Sequence, residues 1–111
     1  MTEILHVAFR AHWADALTGS RYPVSGRGMT VQDEGYAHCA TRDQLTGVLQ
    51  RHYGDVDPGE LVVLVLDTAV IEADGVDVRF EDTHGAGDDF PHIYGEIRPA
   101  WVTRTEPVPP S

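Results

Sequence analysis

One late stretch of the chain, Phe90–Gly95 with the sequence F-P-H-I-Y-G, concentrates side chains that can do chemistry. It places the imidazole of His92 and the phenol of Tyr94 two residues apart, between a proline and a glycine. An acidic, glycine-rich run from Glu81 to Asp89 precedes it and is typical of a loop. A stretch that only serves folding rarely combines His and Tyr beside such a loop. The pattern predicts that His92 and Tyr94 form one wall of a small-molecule pocket.

Three of the six histidines stand where a shared pocket is plausible: His6 and His38 in predicted strands, and His92 in the late loop. Imidazole transfers protons near neutral pH, binds sugar hydroxyls and ligates metals. A lone histidine is more often structural, but three together balance that interpretation. Glu81 is the best carboxylate candidate, because it ends an alternating strand where a loop begins; Glu34 ranks below it. Glu81 can act as a general base or hold a ribose diol, and its ordinary alternative is a solvent-facing acid.

Two other chemistries, a metal site and a cysteine nucleophile, are alternatives to this pocket. His6, His38, His92 and Glu81 could supply a zinc site, but the sequence lacks an H-E-x-x-H motif and a cysteine pair, so no metal is expected. Cys39 follows His38 and suggests a nucleophile–base pair. Because neighbours in a strand point to opposite faces, Cys39 is expected in the core instead.

Composition narrows the class of partner. The 111 residues carry a net charge of −10 and no lysine, so nucleic acid and anionic membrane surfaces are disfavoured. A small phosphate-bearing ligand stays possible through Arg10, Arg21 or Arg27. The longest apolar run is strand-sized, no signal peptide is readable, and Cys39 has no partner for an internal disulfide; these features favour a cytoplasmic protein. A monomer or weak homodimer is expected.

The periodicity in the first half predicts two strands and two helices around a long loop. The predicted elements are a strand Ile4–Phe9, a helix His12–Gly19, a loop Ser20–Asp33 with a short strand at Tyr22, a strand Gly35–Ala40, and a helix from the Thr41 cap to Tyr53. Alternation places Tyr36 and His38 on one face of their strand. In the first helix, Trp13, Ala16 and Leu17 lie at helical spacing, and Trp13 is predicted to pack on the core.

The second half predicts strands only, and so an α+β fold. The predicted strands are Leu61–Leu66, central and buried on both faces, Val76–Glu81, half-buried, and Ile97–Thr103 with Pro99 at its start. We expect a mixed, mainly antiparallel sheet with two early helices and none late. Residues 1–105 form one domain, and residues 106–111 form an extended or disordered proline-rich tail.

Several motifs in order resemble the domain of unknown function 952 family. They are Leu5-His6, Trp13, the string Glu34-Gly35-Tyr36-Ala37-His38-Cys39, Gln44, Glu81 and the string Phe90-Pro91-His92-Ile93-Tyr94-Gly95. The resemblance spans Ile4 to Val102. It implies an ADP-ribosyltransferase-like fold, with a split, strongly bent sheet and a cleft between its halves.

The resemblance also implies roles for single residues. His6 matches a histidine that holds the nicotinamide ribose in that fold, and an aromatic side chain supports the nicotinamide. His38 lies in a motif similar to that of the RNA 2′-phosphotransferase branch, whose activity the acidic charge does not suit. The cleft would be lined by His6, Tyr22, Tyr36, His38, Glu81, His92 and Tyr94.

Three functions stay open at this point. The leading hypothesis is an enzyme that binds NAD or a nucleotide-like small molecule, with His6 and Tyr94 holding the ligand. Glu81 would stabilise positive charge at the ribose, and His38 or His92 would handle protons. The alternatives are an isomerase or cyclase that uses the same cleft without NAD, and a non-catalytic ligand-binding module.

Overall fold

The structure is a computed structural model that describes residues 2–19, 21–83, 85 and 87–109. Among these residues it contains eight strands, four α-helices and two short 3₁₀ turns. The strands are β1 (Glu3–Phe9), β2 (Val24–Gly26), β3 (Met29–Thr30), β4 (Ala37–His38), β5 (Leu61–Asp67), β6 (Val78–Glu81), β7 (Phe90–Ile93) and β8 (Val102–Pro107). The helices are α1 (Arg10–Gly19), α2 (Val31–Glu34), α3 (Arg42–Tyr53) and α4 (Thr68–Ala73).

The larger sheet has the order β1-β5-β8, and both of its strand pairs are antiparallel. β5 is its central strand, and every residue from Leu61 to Leu66 is at most 2% exposed, as its continuous apolar run predicts. One apolar cluster covers each face of this sheet. The cluster around Ile4, Leu64 and Trp101 lies on one face, and the cluster around Leu5, Val63 and Tyr53 lies on the other.

The smaller sheet has the order β4-β7-β6 and is also antiparallel. His92 pairs with His38 on one side and with Arg79 on the other. The placement of His92 in a loop was therefore wrong: β7 is the central strand of this sheet. Leu5 and Ala40 exchange two backbone hydrogen bonds of 2.8 Å, which join the two sheets.

A β2–β3 hairpin and helix α2 together replace most of the predicted loop Ser20–Asp33, of which Ser20 lies outside the described residues. β2 and β3 pair through a tight turn in which Gly28 has a φ of 74°, a conformation that glycine adopts easily. Thr30 then caps α2 by accepting a hydrogen bond from the backbone of Asp33. These elements could not be predicted from the sequence, because each is too short to show a periodic pattern and the segment is polar and rich in turn residues.

Local signals explain the helices and the errors in their prediction. Gln44 Oε1 accepts a 3.0 Å hydrogen bond from the backbone N–H of Thr41, which confirms the predicted start of α3. Trp13 of α1 packs against the core as predicted, whereas Leu17 is 61% exposed. α4 contradicts the absence of a late helix; Asp67 caps it and Ile71 is fully buried.

The C-terminal part differs most from the prediction. Ile97 makes only an isolated bridge to Tyr22, and Pro99–Trp101 is a 3₁₀ turn, so the last strand begins later than predicted. β8 continues through Pro107, and Val108 is 8% exposed against the core. The segment from residue 106, predicted as extended or disordered, thus continues β8 as an extended chain and packs at Val108; Pro110 and Ser111 lie outside the described residues.

The architecture is α+β with antiparallel sheets, and the described strand pairs include no parallel one. Among the described residues, no helix is both long and apolar enough to cross a membrane.

Candidate functional site

Five predicted site residues share one face of the smaller sheet, which we call the polar face: Tyr36, His38, Glu81, His92 and Tyr94. The pairing of β4, β6 and β7 brings them together, because alternate side chains of a strand point the same way. The opposite face carries Ala37, Cys39 and Ile93, which are buried in the core. The predicted grouping of Tyr36 with His38 is therefore confirmed.

Glu81 is the centre of the hydrogen bonds on the polar face. Its Oε1 accepts a 2.9 Å hydrogen bond from His92 Nδ1 and a 2.5 Å hydrogen bond from the hydroxyl of Tyr94. These donors, Tyr94 first and His92 second, hold the pKa of Glu81 below its usual value, and the positive charge of Arg79 acts in the same direction. Glu81 is therefore an ionised and oriented carboxylate, and its side chain is 31% exposed.

Tyr94 is the complementary donor. Its hydrogen bond to Glu81, followed by partial desolvation, raises the pKa of Tyr94 above its usual value. Arg79 lies over the Tyr94 ring, with its guanidinium carbon 4.6 Å from the ring centroid. Arg79 was not among the predicted site residues; its alternation with Glu81 along β6 is the sequence signal that points to it.

His92 is buried behind these groups. Its side chain is 2% exposed, and the Tyr36 ring stacks on it with centroids 4.1 Å apart and planes 23° apart. The carboxylate of Glu81 accepts the Nδ1 proton and so sets the ring orientation. His92 can therefore aim Glu81 more readily than it can touch a ligand.

His38 is the histidine of the polar face that solvent reaches, with 29% of its side chain exposed. Its Nε2 lies 3.2 Å from Oε1 of Glu34, a residue that sequence analysis ranked below Glu81. The His38 ring meets Tyr36 edge-on at 4.9 Å and His92 at 5.6 Å. This exposure and the neighbouring carboxylate make His38 the better placed of the two imidazoles for proton exchange.

His6 and Tyr22 lie in the interior and not on the polar face. His6 is 1% exposed, and its Nδ1 donates a 2.7 Å hydrogen bond to the backbone carbonyl of His38. Its Nε2 lies 2.8 Å from the Tyr22 hydroxyl and must accept that proton. Burial lowers the pKa of His6 to about 4, so the ring is neutral. Both nitrogens are thus occupied inside the protein, and His6 acts on the site by holding the backbone of His38.

The rival residues lie elsewhere. Cys39 is 6% exposed on the core side, and burial raises the pKa of its thiol. The described part of the chain contains no group of three His, Cys, Asp or Glu side chains close enough to hold a metal ion. Arg27 pairs with Asp55, and Arg21 pairs with Glu96. His84 of the acidic loop lies outside the described residues.

Two surface grooves lie apart from the polar face. One, of about 380 Å³, is lined by residues that include Arg21, Glu96 and Arg98. The other, of about 330 Å³, is mainly apolar and runs between α3 and the C-terminal residues. Neither is lined by a residue of the polar face. We place the candidate site on the polar face, because concavity alone supplies no proton-transfer group, whereas the polar face combines an ionised carboxylate with an exposed imidazole.

Comparison with known proteins identifies a family and a shared fold. A family model described as "Protein of unknown function (DUF952)" matches residues 7–105. A crystal structure of protein CC0527 from Caulobacter crescentus is 25% identical, with a TM-score of 0.76 over 96% of this chain and 85% of that chain. A solution NMR structure of CC0527 is 24% identical, with a TM-score of 0.73 over 96% of this chain and 84% of that chain. No curated protein matches the chain.

Proposed function

The chain belongs to the DUF952 family, and we propose that it is a small-molecule enzyme whose ligand binds against the polar face. The proposed chemistry is glycosyl transfer on NAD or a nucleotide-like ligand, in an ADP-ribosyltransferase-like cleft. The single observation that carries this proposal is the doubly hydrogen-bonded carboxylate of Glu81, which accepts from His92 and from Tyr94.

The state of Glu81 favours charge stabilisation over proton abstraction. A carboxylate with a lowered pKa is a weak base, but it keeps its negative charge at neutral pH. Cleavage of a C–N glycosidic bond sends the electron pair to the leaving base and leaves positive charge on the sugar carbon. A fixed anion beside that carbon stabilises the transition state. The folded protein already holds the carboxylate in its orientation, so no reorganisation is needed during the reaction.

His38 and Tyr36 supply the remaining parts. The hydroxyl of an acceptor forms the new bond to the sugar carbon, and its proton passes to His38, which lies at the surface beside Glu34. Tyr36 is partly exposed beside His38, with their ring centroids 4.9 Å apart, and aromatic rings contribute apolar contacts to planar bases. His6 does not touch the ligand in this proposal; it contributes indirectly, by binding the backbone carbonyl of His38.

The test combines NAD binding with product release. Wild-type protein at NAD about a hundred times its dissociation constant should gain about 2.7 kcal/mol in free energy of unfolding. Glu81→Gln should bind NAD but release nicotinamide roughly 100-fold more slowly, because the anion is lost while the shape remains. Glu72→Gln, an exposed change on α4, is the matched control. The absence of both a thermal shift and nicotinamide release at millimolar NAD rejects NAD as the ligand.

A second candidate is proton-transfer chemistry without NAD, such as isomerisation or cyclisation of a small molecule. The exposed pair of His38 and Glu34 favours it, since a carboxylate that orients an imidazole is the usual support of a general base. Solvent-deuterium incorporation into a panel of small carbonyl compounds measures this activity directly. Incorporation that His38→Gln abolishes and His52→Gln retains would favour this second function.

A further inference from the structure

We propose that the hairpin segment 24–34 sets the position of the His38 imidazole, through Gly26 as a close-contact wall and Glu34 as a hydrogen-bond partner. The inference rests on the proposed function, in which His38 exchanges the proton. Gly26 and Glu34 are thus positioning residues of the site, and they act through His38.

Gly26 leaves room for the His38 ring. A Cβ atom at this position would lie 3.2 Å from His38 Cδ2 and 3.1 Å from Met29 Cε. The φ of Gly26 is outside the left-handed region, so its backbone conformation alone does not require glycine. The Met29 side chain can move aside easily because it is long and flexible and the residue is 38% exposed. A side chain at position 26 would therefore mainly displace the His38 ring.

Glu34 holds the same ring by its Nε2 atom. The carboxylate oxygen lies 3.2 Å from Nε2, which donates the proton. Gly35 follows with a φ of 91° and ends α2 by donating its N–H to the carbonyl of Val31 at 2.7 Å. This turn directs the chain from the helix into β4, so Glu34 and His38 meet across it.

The hairpin is attached to the rest of the protein at its first strand and at its tip. The buried hydroxyl of Ser25 donates to the backbone carbonyl of Tyr36, at 2.5 Å. At the tip, the Arg27 guanidinium binds the Asp55 carboxylate at 2.6 and 2.9 Å and the carbonyl of His52 at 2.9 Å. A bidentate pair has a defined geometry. The hairpin is therefore a fixed wall, and a change at Gly26 must be accommodated by its neighbours.

The first experiment uses Gly26→Ala, with Gly19→Ala as the matched control because a Cβ there meets nothing within 4 Å. Nuclear magnetic resonance of the histidine ring protons and nitrogens reads the environment of His38 directly. The His38 signals should move clearly in Gly26→Ala and stay in place in Gly19→Ala, while both proteins keep a dispersed backbone spectrum. Unmoved His38 signals in folded Gly26→Ala would overturn the assignment of Gly26.

The second experiment uses Glu34→Gln, which keeps the side-chain size at an exposed position and does not threaten folding. The His38 ring nitrogens should shift in this variant and not in Glu72→Gln; equal spectra would overturn the assignment of Glu34. At saturating NAD, Gly26→Ala should then release nicotinamide about tenfold more slowly than wild type, which corresponds to about 1.4 kcal/mol in the barrier, because His38 takes the acceptor proton. An unchanged release rate despite moved His38 signals would overturn the link to function.

The two readouts separate the two proposals. The ring signals of His38 report on positioning whether or not NAD is the ligand. If wild-type protein does not bind NAD while the His38 signals respond as expected, the positioning role stands and the NAD function fails.

Discussion

The two three-stranded sheets share an antiparallel arrangement but differ in what covers their faces. The β1-β5-β8 sheet has an apolar cluster on each side, and its central strand is almost wholly inaccessible. The β4-β7-β6 sheet buries one face and leaves Tyr36, His38, Glu81 and Tyr94 partly exposed on the other. The first sheet supplies the hydrophobic stabilisation, and the second can present polar groups to a ligand because its face is uncovered.

Two buried histidines make the same comparison at the level of single residues. His6 of the larger sheet and His92 of the smaller one are 1% and 2% exposed. His6 is bound by a backbone carbonyl and a phenol, so burial keeps it neutral and structural. His92 is bound by the carboxylate of Glu81, which itself reaches solvent. Burial alone therefore does not separate a structural histidine from one that serves a site; the partner and the exposure of that partner do.

The largest effect is expected from His6→Leu. The substitution removes the partner of the buried Tyr22 hydroxyl and one hydrogen bond to the His38 carbonyl, and each loss costs about 1–3 kcal/mol. Urea unfolding should show a loss of roughly 2–6 kcal/mol in the free energy of unfolding. His52→Leu, an exposed change, should stay within about 0.5 kcal/mol of wild type. Similar losses in both variants would show that His6 is not the structural histidine described above.

Leu64→Ala should be nearly as severe. Leu64 is fully buried at the centre of β5, and removing a buried leucine side chain costs about 2–5 kcal/mol. Leu17→Ala on the surface of α1 makes the same chemical change where 61% of the side chain is exposed, so its cost should be small. A comparison of the two urea midpoints tests whether stability depends on the larger sheet. Equal midpoints would contradict that role.

The pH dependence of stability should carry a component from His6. Its pKa is 6.5 when unfolded and about 4 when folded, so the folded chain binds fewer protons between these values. This contribution is complete above about pH 6.5 and is lost as pH falls toward 4. The expected loss between pH 7 and pH 5 is about 2 kcal/mol. Urea titrations at both pH values measure this loss, and the same titrations of His6→Leu should lack it. An equal change in the free energy of unfolding between pH 7 and pH 5 in both proteins would contradict the contribution of His6.

The smallest effect on stability is expected from Glu81→Gln, which changes the chemistry of the smaller sheet. Loss of the carboxylate removes the main cause of the raised pKa of Tyr94, so that pKa should fall toward the ordinary value near 10. Nuclear magnetic resonance of ¹³C-labelled tyrosine resolves Tyr94 from the other three tyrosines during titration. Glu72→Gln should leave the Tyr94 titration unchanged. A Tyr94 titration unaffected by Glu81→Gln would show that Tyr94 does not donate to Glu81, the hydrogen bond on which the proposed site depends.

The elements with strong local signals were predictable. β5 has six consecutive apolar residues, and α3 has a capping box, so neither depends on distant contacts for recognition. β2, β3 and α2 have two to four residues each. Strand pairing and helix capping, not a periodic pattern, determine that these short segments are strands or a helix. α4 was missed for the same reason, since its six residues are helical mainly because Asp67 caps them and Ile71 reaches the core.

The sequence by itself determined the central strand, the α+β class and the group of residues from which a site can be built. His38, Glu81, His92 and Tyr94 could be selected as candidates because residue types and sequence neighbours are local properties of the chain. Only the tertiary structure decided that β4, β7 and β6 form one sheet whose polar side chains share a face, and that His6 and Tyr22 lie in the interior. Strand register and burial arise from contacts between residues distant in sequence, and these contacts direct one histidine to the core and another to a carboxylate.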